Sequence, residues 1–275
     1  MVMPTILDIE NQIEAWAPKR LAEEWDNIGL QIGNPTKHIS KILVALDPTL
    51  DLLEKAKEME AELVITHHPL IFKPLFNLNS SFFIPSLVTK FILSDIALIA
   101  AHTNLDAAPN GVSDQLAIPL KLFKTRPLLA REQDSDQTGI GRVGSLKKPV
   151  KLSTILDSYK KYLATDFLSV TGHPDMVISK VAICGGSGSD LWPEVLGSGA
   201  DLYISAEIKH NVLREAEQLG KAIINLTHFQ SEWPIVPAIV DYLTKISKEK
   251  KWDLEIKIFQ EETAPVNIWG LEIIK

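Results

Sequence analysis

Histidines and carboxylates in this chain of 275 residues gather just after apolar runs. Leu63-Val64-Ile65-Thr66 leads into His67-His68-Pro69. The run 96–101, IALIAA, leads into His102, with Asp106 four residues on. The run 222–226, AIINL, leads into Thr227-His228, with Glu232 four residues on. A fourth run, 201–205, precedes Glu207 and His210, so only His38 and His173 of the seven histidines fall elsewhere. A strand core has no use for imidazoles, and neighbouring strand side chains point to opposite faces. His67 and His68 can share a site only where the backbone leaves the pleat. Pro69 helps, since it donates to no ladder and keeps His68 extended.

The chemistry these types suggest is metal binding. Neutral imidazoles with Asp and Glu carboxylates suit first-row divalent ions, and the lack of thiolate partners argues against a structural zinc site of the finger type. Two carboxylates with three or more imidazoles exceed the needs of one open catalytic ion. Two ions about 3.5–4 Å apart, bridged by a carboxylate and a water, would use them all. Such a centre lowers the pKa of its water toward neutrality and needs no serine or cysteine nucleophile. Each residue also has an ordinary use. A lone histidine after a strand is commonly a hydrogen-bonded core or surface residue, Asp106 suits a turn cap, and Glu232 ahead of Pro234 suits a helix start. Their shared position favours one site.

The elements that must position them alternate along the chain. Strand patterns fall at 42–46, 63–66, 96–101, 180–184, 201–205 and 221–226. Helical patterns fall at 50–61, 82–95, 113–123, 153–164, 209–220 (ending on Gly220) and 234–247. Short continuous apolar strands separated by helices imply an α/β protein with mainly parallel sheets covered on both faces. In such sheets ligands bind beyond the carboxyl ends of the strands, which is where the clusters sit. The polar stretch 131–142 is read as a loop or lobe boundary. Length and this boundary leave one large domain or two lobes open.

Two further stretches stand out. Cys184-Gly-Gly-Ser-Gly-Ser-Asp190 is neither a Walker A sequence nor a full dinucleotide fingerprint, and reads as a tight turn from strand to helix, with an anion nest for a phosphate or substrate as the alternative. Trp25-Asp26-Asn27 reads as a turn that can line the pocket. Composition excludes other roles. A net charge of −7 and a pI near 5.5 argue against nucleic-acid binding, and the basic run 245–251 suits a solvated helix end. One cysteine, Cys184, leaves no internal disulfide and fits a reducing compartment. No apolar stretch reaches bilayer length, and the amino-terminal stretch does not read as a signal peptide, so the expectation is a cytoplasmic protein without a membrane partner.

The stretches WDNIGLQIG, THHPLIF, HTNLDAAPNGVSDQLA, GRVGSL, CGGSGSDL, DLYISAEIKHN and THFQSEWPIV occur in the order and spacing of a known family. Over nearly its whole length the chain resembles the NIF-three-like family, whose bacterial members are commonly called GTP cyclohydrolase 1 type 2 homologues. The resemblance implies two interlinked α/β lobes, residues 1–126 with 228–275 and residues 127–227, a dinuclear divalent-metal site (zinc, iron or manganese) at the cleft between them, and a ring-shaped homohexamer. It places the ligands on His67, His68, Asp106, His228 and Glu232, with Glu232 bridging. Family members often carry Thr-Gly before the acid matching Glu207 and a second histidine after His210, where this chain has Ser205-Ala206 and Asn211. The function implied is hydrolysis of a nucleotide or related heterocycle by metal-activated water. Glu232 takes part directly, while His102 and Glu207 orient ligands or move protons. Lys209, Arg142 and Lys73 are candidates to meet a triphosphate. The same centre would serve a phosphoesterase, and a non-catalytic metal-binding or interaction protein with a functional ring is the reading from another class.

Overall fold

The computed structural model describes residues 2–130 and 137–266. Its strands are β1 (Gly29–Ile32), β2 (Lys41–Ala45), β3 (Leu63–Thr66), β4 (Ala97–Ala100), β5 (Phe123–Arg126), β6 (Leu129–Ala130), β7 (Gly139–Ile140), β8 (Arg142–Lys151), β9 (Ser169–Thr171), β10 (Val177–Ser187), β11 (Leu202–Ala206), β12 (Ala222–Leu226) and β13 (Glu255–Ile258). Its helices are α1 (Ile6–Trp16), α2 (Leu50–Glu58), α3 (Phe83–Leu93), α4 (Thr103–Ala107), α5 (Val112–Ala117), α6 (Leu152–Tyr162), α7 (Trp192–Ser198), α8 (His210–Gln218), α9 (His228–Glu232) and α10 (Ile235–Lys250).

The first sheet runs β1-β4-β3-β2-β13, parallel throughout except for β1. Its strands are apolar on both faces because helices cover both. Ile42, Val44, Ile65 and Ile99 pack toward α1 and α10, through Ile6, Ile9, Ile13, Ile235 and Ile239. The alternate residues Leu43, Val64 and Leu98 pack toward α2 and α3, through Leu52, Leu53, Leu87 and Phe91. The period of two along each strand therefore feeds two cores. Local signals fix the helix starts. Thr5 and Asp8 form a capping box on α1, and Thr49 caps α2.

The second sheet runs β5-β8-β10-β11-β12-β9. Only β10, β11 and β12 are parallel to one another. The outer strands β5, β8 and β9 run antiparallel to their neighbours. The mainly parallel expectation thus describes the first sheet and the centre of the second. Ile183, Leu202, Ile204 and Ile224 pack with Leu152, Ile155 and Tyr159 of α6, and Ala182, Tyr203 and Ile223 pack with α7 and α8.

Three segments differ from the sequence reading. The helical pattern at 113–123 breaks after α5 into a short 3-10 turn, Ile118–Leu120, and the chain enters β5 at Phe123. Pro119 removes an amide donor there, and Lys121 turns with a positive φ of 47°. The second sheet therefore begins at Phe123, a few residues ahead of 127. The glycine stretch after Cys184 is the end of β10 and not yet a turn, since the strand continues to Ser187. The boundary segment 131–142 falls partly outside the described residues, as do 267–275, and its far end is strand β7.

Candidate metal centre

The parallel strands of the two sheets end at one place. Asp47 follows β2, His67 and His68 follow β3, and His102 follows β4, while Glu207 follows β11 and His228 follows β12. Helix α4 carries Asp106. Helix α9 carries His228 and Glu232 one turn apart on one face, and its start is fixed by Thr227 and Gln230 in a capping box. The five residues His67, His68, Asp106, His228 and Glu232 come together. Among the described residues, three sets of side chains converge closely enough to hold an ion: His67 with Asp106 and Glu232; His68 with His228 and Glu232; and His67 with His68 and His102. Glu232 stands in two of them.

Each imidazole is aimed by its other nitrogen. His67 Nδ1 lies 2.7 Å from the Ala101 carbonyl, which only accepts, so Nδ1 carries the hydrogen and Nε2 keeps its lone pair. His68 Nδ1 lies 2.8 Å from Asp47 Oδ1, and His102 Nδ1 lies 3.0 Å from Asp26 Oδ1. His228 Nδ1 lies 3.3 Å from Glu207 Oε1. Such partners fix the ring and raise its basicity as a ligand. Asp26 also receives the Thr103 amide and hydroxyl, so it caps α4 while it holds His102. Asp47 is held in turn. Glu262 accepts from the Leu46 amide at 2.8 Å and the Asp47 amide at 2.7 Å.

Three buried polar atoms at the centre have no hydrogen-bond partner: His67 Nε2, Asp106 Oδ1 and Glu232 Oε2. Glu232 Oε2 lies 3.1 Å from His68 Nε2 and 3.0 Å from His228 Nε2, yet neither approach is a hydrogen bond. His67 Nε2 is 3.6 Å from Asp106 Oδ1 and 3.9 Å from Glu232 Oε1. Donor atoms that converge without bonding to one another fit a divalent ion, and the imidazole–carboxylate set suits zinc, iron or manganese.

Without a cation, protons carry the compensating charge. Burial works against a charged His68, but Asp47 and Glu232 outweigh it and raise its pKa to about 10. His67 is raised as well, against burial, by Glu232 and Asp106. Glu232 itself raises His228. Burial pushes Asp106 up. Burial would push Glu232 up too, but His228, His67 and His68 hold it well below the carboxylate range. Asp26 sits at about 2, because His102 and Thr103 overcome its burial.

Beyond these residues, Gly186 forms the wall against Glu232. Its φ is +68°, and a Cβ there would stand 2.4 Å from Glu232 Oε1. Its amide donates to Ser231 Oγ at 2.9 Å, tying β10 to α9. His210 lies on the surface at the start of α8 and belongs to none of the three sets. Arg142 does not meet a triphosphate. It is buried, pairs with Asp114 through Nε and Nη2, and donates to the carbonyls of Gly139, Gly141 and Ala108. Lys209 pairs on the surface with Asp190, and Lys73 is exposed. A cavity of about 560 Å³ lined by Lys37, Lys57, Glu62 and Asp95 lies at the amino ends of β3 and β4, away from this chemistry.

The model of the family Duf34/NIF3 (NGG1p interacting factor 3) matches residues 4–265. The chain belongs to the DUF34/NIF3 family. A DUF34/NIF3 relative from Clostridium perfringens, named GTP cyclohydrolase 1 type 2 homolog, is 34% identical over 258 residues, covering 94% of this chain and 97% of its own. The Bacillus cereus protein related to NIF3 superposes with a TM-score of 0.89 at 24% identity, over 98% of this chain and all of that one, and shows the shared fold. Reduced HcgD from Methanocaldococcus jannaschii superposes with a TM-score of 0.79 at 33% identity, over 94% of this chain and 99% of that one. Among the described residues no helix is long and apolar enough to cross a membrane.

Proposed function

We propose that this DUF34/NIF3 protein is a hydrolase dependent on two divalent metal ions, acting on a nucleotide or related heterocycle. The observation that carries it is the double membership of Glu232, which stands in the set with His67 and Asp106 and in the set with His68 and His228. One carboxylate with two oxygens suits two neighbouring ions, which lie about 3.5–4 Å apart in two-metal sites. When bound, such ions polarise the substrate and bring the pKa of water toward neutrality. The chain's own groups do the rest. Asp47, Asp26 and the Ala101 carbonyl hold the rings in the tautomer that leaves Nε2 free. His102 faces the cluster and is positioned to take up or return a proton. Glu207, exposed beside His228 Nδ1, can pass one to solvent. The substrate class rests on the name of the Clostridium perfringens relative.

The family description, an interacting factor, favours a second reading as a non-catalytic metal-binding or interaction protein. Assembly into a homohexameric ring, which the family resemblance implies, belongs to both readings; exposed Phe76, Phe82 and Phe83 suit a contact surface without fixing its partner. Elemental analysis of tag-free protein, with turnover against a panel of nucleotides, tests the assignment. Expected are about two equivalents of metal per chain, with metal and turnover both lost in Glu232→Gln while the fold is kept. Full metal content without turnover points to the second reading. A chain that resists loading with zinc, manganese and iron refutes both.

A further inference from the structure

Two large aromatic rings flank the cluster and are not covered. Trp25 is 58% exposed and Phe72 is 45% exposed. Their centroids are 5.5 Å apart. Each stands edge-on to His102, at 6.2 Å for Trp25 and 6.5 Å for Phe72. The His102 ring lies 5.2 Å from His67 and 5.4 Å from His68. The rings thus form a step leading from solvent to the centre.

Their placement is fixed from behind. Asp26, next to Trp25, holds His102 and Thr103, and the Glu23 amide donates to Thr103 Oγ1 at 3.0 Å. Ile71, next to Phe72, donates its amide to Gln31 Oε1 at 3.0 Å, and its carbonyl receives the Asn27 and Gln31 amides. Asn27 and Gln31 therefore stitch the two ring-bearing loops together. The two rings are tilted by 59° to one another, so a flat ring can lie face-on against one and meet the other at its edge, a preorganised aromatic corner beside the imidazole cluster.

We propose that Trp25 and Phe72 are the platform for a planar aromatic heterocycle of the substrate, a nucleobase, held with its edge toward His102. This rests on the metal-dependent reading above and narrows its substrate class. Stacking on one aromatic side chain is worth about 1–3 kcal/mol per base, a roughly 5- to 150-fold effect on affinity.

The test is calorimetric binding of GTP to the metal-loaded full chain, with inorganic tripolyphosphate as a ligand without a ring. Metal content and oligomeric state are measured for every variant. Trp25→Leu and Phe72→Leu are expected to weaken GTP roughly 5- to 150-fold each and to leave tripolyphosphate and metal content unchanged. Trp25→Phe, which keeps a ring, should recover most of the GTP affinity. Equal losses for GTP and tripolyphosphate overturn the proposal, as does unchanged GTP affinity in Trp25→Leu. So does metal-loaded wild type that binds no nucleoside triphosphate. If Trp25→Leu instead dissociates an oligomer with GTP affinity intact, a second copy covers the rings and the platform is refuted. Wild type that takes up no metal defeats the metal reading alone, and ring binding is then scored on the metal-free chain.

Discussion

Under the proposed two-ion centre, Asp47→Asn should weaken one ion and spare the other. Asp47 Oδ1 lies 2.8 Å from His68 Nδ1, and its backbone is clamped by Glu262. The substitution keeps the shape and an acceptor oxygen but removes the charge that strengthens the bond and makes His68 a better ligand. Loss of such a partner costs about 10- to 100-fold in metal affinity. The Asp47 side chain is 38% exposed and that of His68 21%, so water screens part of the effect and the lower end applies, about 10-fold or about 1.4 kcal/mol. His68 is a member of the set with His228 and Glu232 but not of the set with His67 and Asp106. A titration against a chelating dye resolves two stepwise dissociation constants, and only one should move. Equal weakening of both steps would show that Asp47 acts through general stability. No change in either would show that His68 holds no ion.

Three other perturbations follow from the same geometry. Gly186→Ala places a Cβ against Glu232 and forces an alanine to a φ of +68°, so bound metal should be lost together with about 1–3 kcal/mol of stability; full metal content by elemental analysis contradicts this. Arg142→Leu strands Asp114 and three carbonyls and should cost about 3 kcal/mol in urea unfolding, the low end for a buried pair because Asp114 is partly exposed. A variant of normal stability but poor nucleotide binding would restore Arg142 as a phosphate contact. The third concerns pH and the metal-free chain. His68 has a folded pKa of about 10 against 6.5, so its stabilising contribution is complete below pH 6.5 and disappears as pH rises through about 10. The melting temperature without metal should fall from pH 7 to pH 10, and loading at pH 8 should release the His68 proton, seen as a buffer-dependent binding enthalpy. A melting temperature that rises over that interval refutes the assignment. Glu232, depressed when folded, also stabilises the fold, but with the reverse pH dependence: its share is present at neutral pH and is lost as pH falls into the acid range.

The clusters were legible because strand and site share one signal. An apolar run ending in histidine states both where a parallel strand stops and what its carboxyl end presents. Asp47 was open to the same argument, since it follows β2 at the same edge. It escaped because no histidine marks it. Glu262 carried no signal at all, being 216 positions from Leu46, and only the return of the chain through β13 brings it there. Strand β8 was missed for a different reason. Its outer half reads Leu-Lys-Lys-Pro-Val-Lys and is solvated, so it lacks the apolar period that marks a buried strand. The glycines after Cys184 looked like turn formers, but Gly186 is small because Glu232 occupies the space its side chain would need.

The orphaned atoms favour a metal site over a purely structural ion network. A buried ion network that exists only to hold two sheets together must bond its members to one another, because an unsatisfied buried acceptor costs on the order of 1–3 kcal/mol. Here two imidazole nitrogens, of His68 and His228, come within 3.0–3.1 Å of Glu232 Oε2 without hydrogen-bond geometry, while Asp106 Oδ1 and His67 Nε2 are buried with no hydrogen-bond partner either. Meanwhile the outer nitrogens of His67, His68 and His102 are fully engaged. Satisfaction on the outside with frustration at the centre is the pattern expected when lone pairs are kept for a cation. The strand ends of both sheets contribute donors, so that cation would also tie the two halves of the chain to each other.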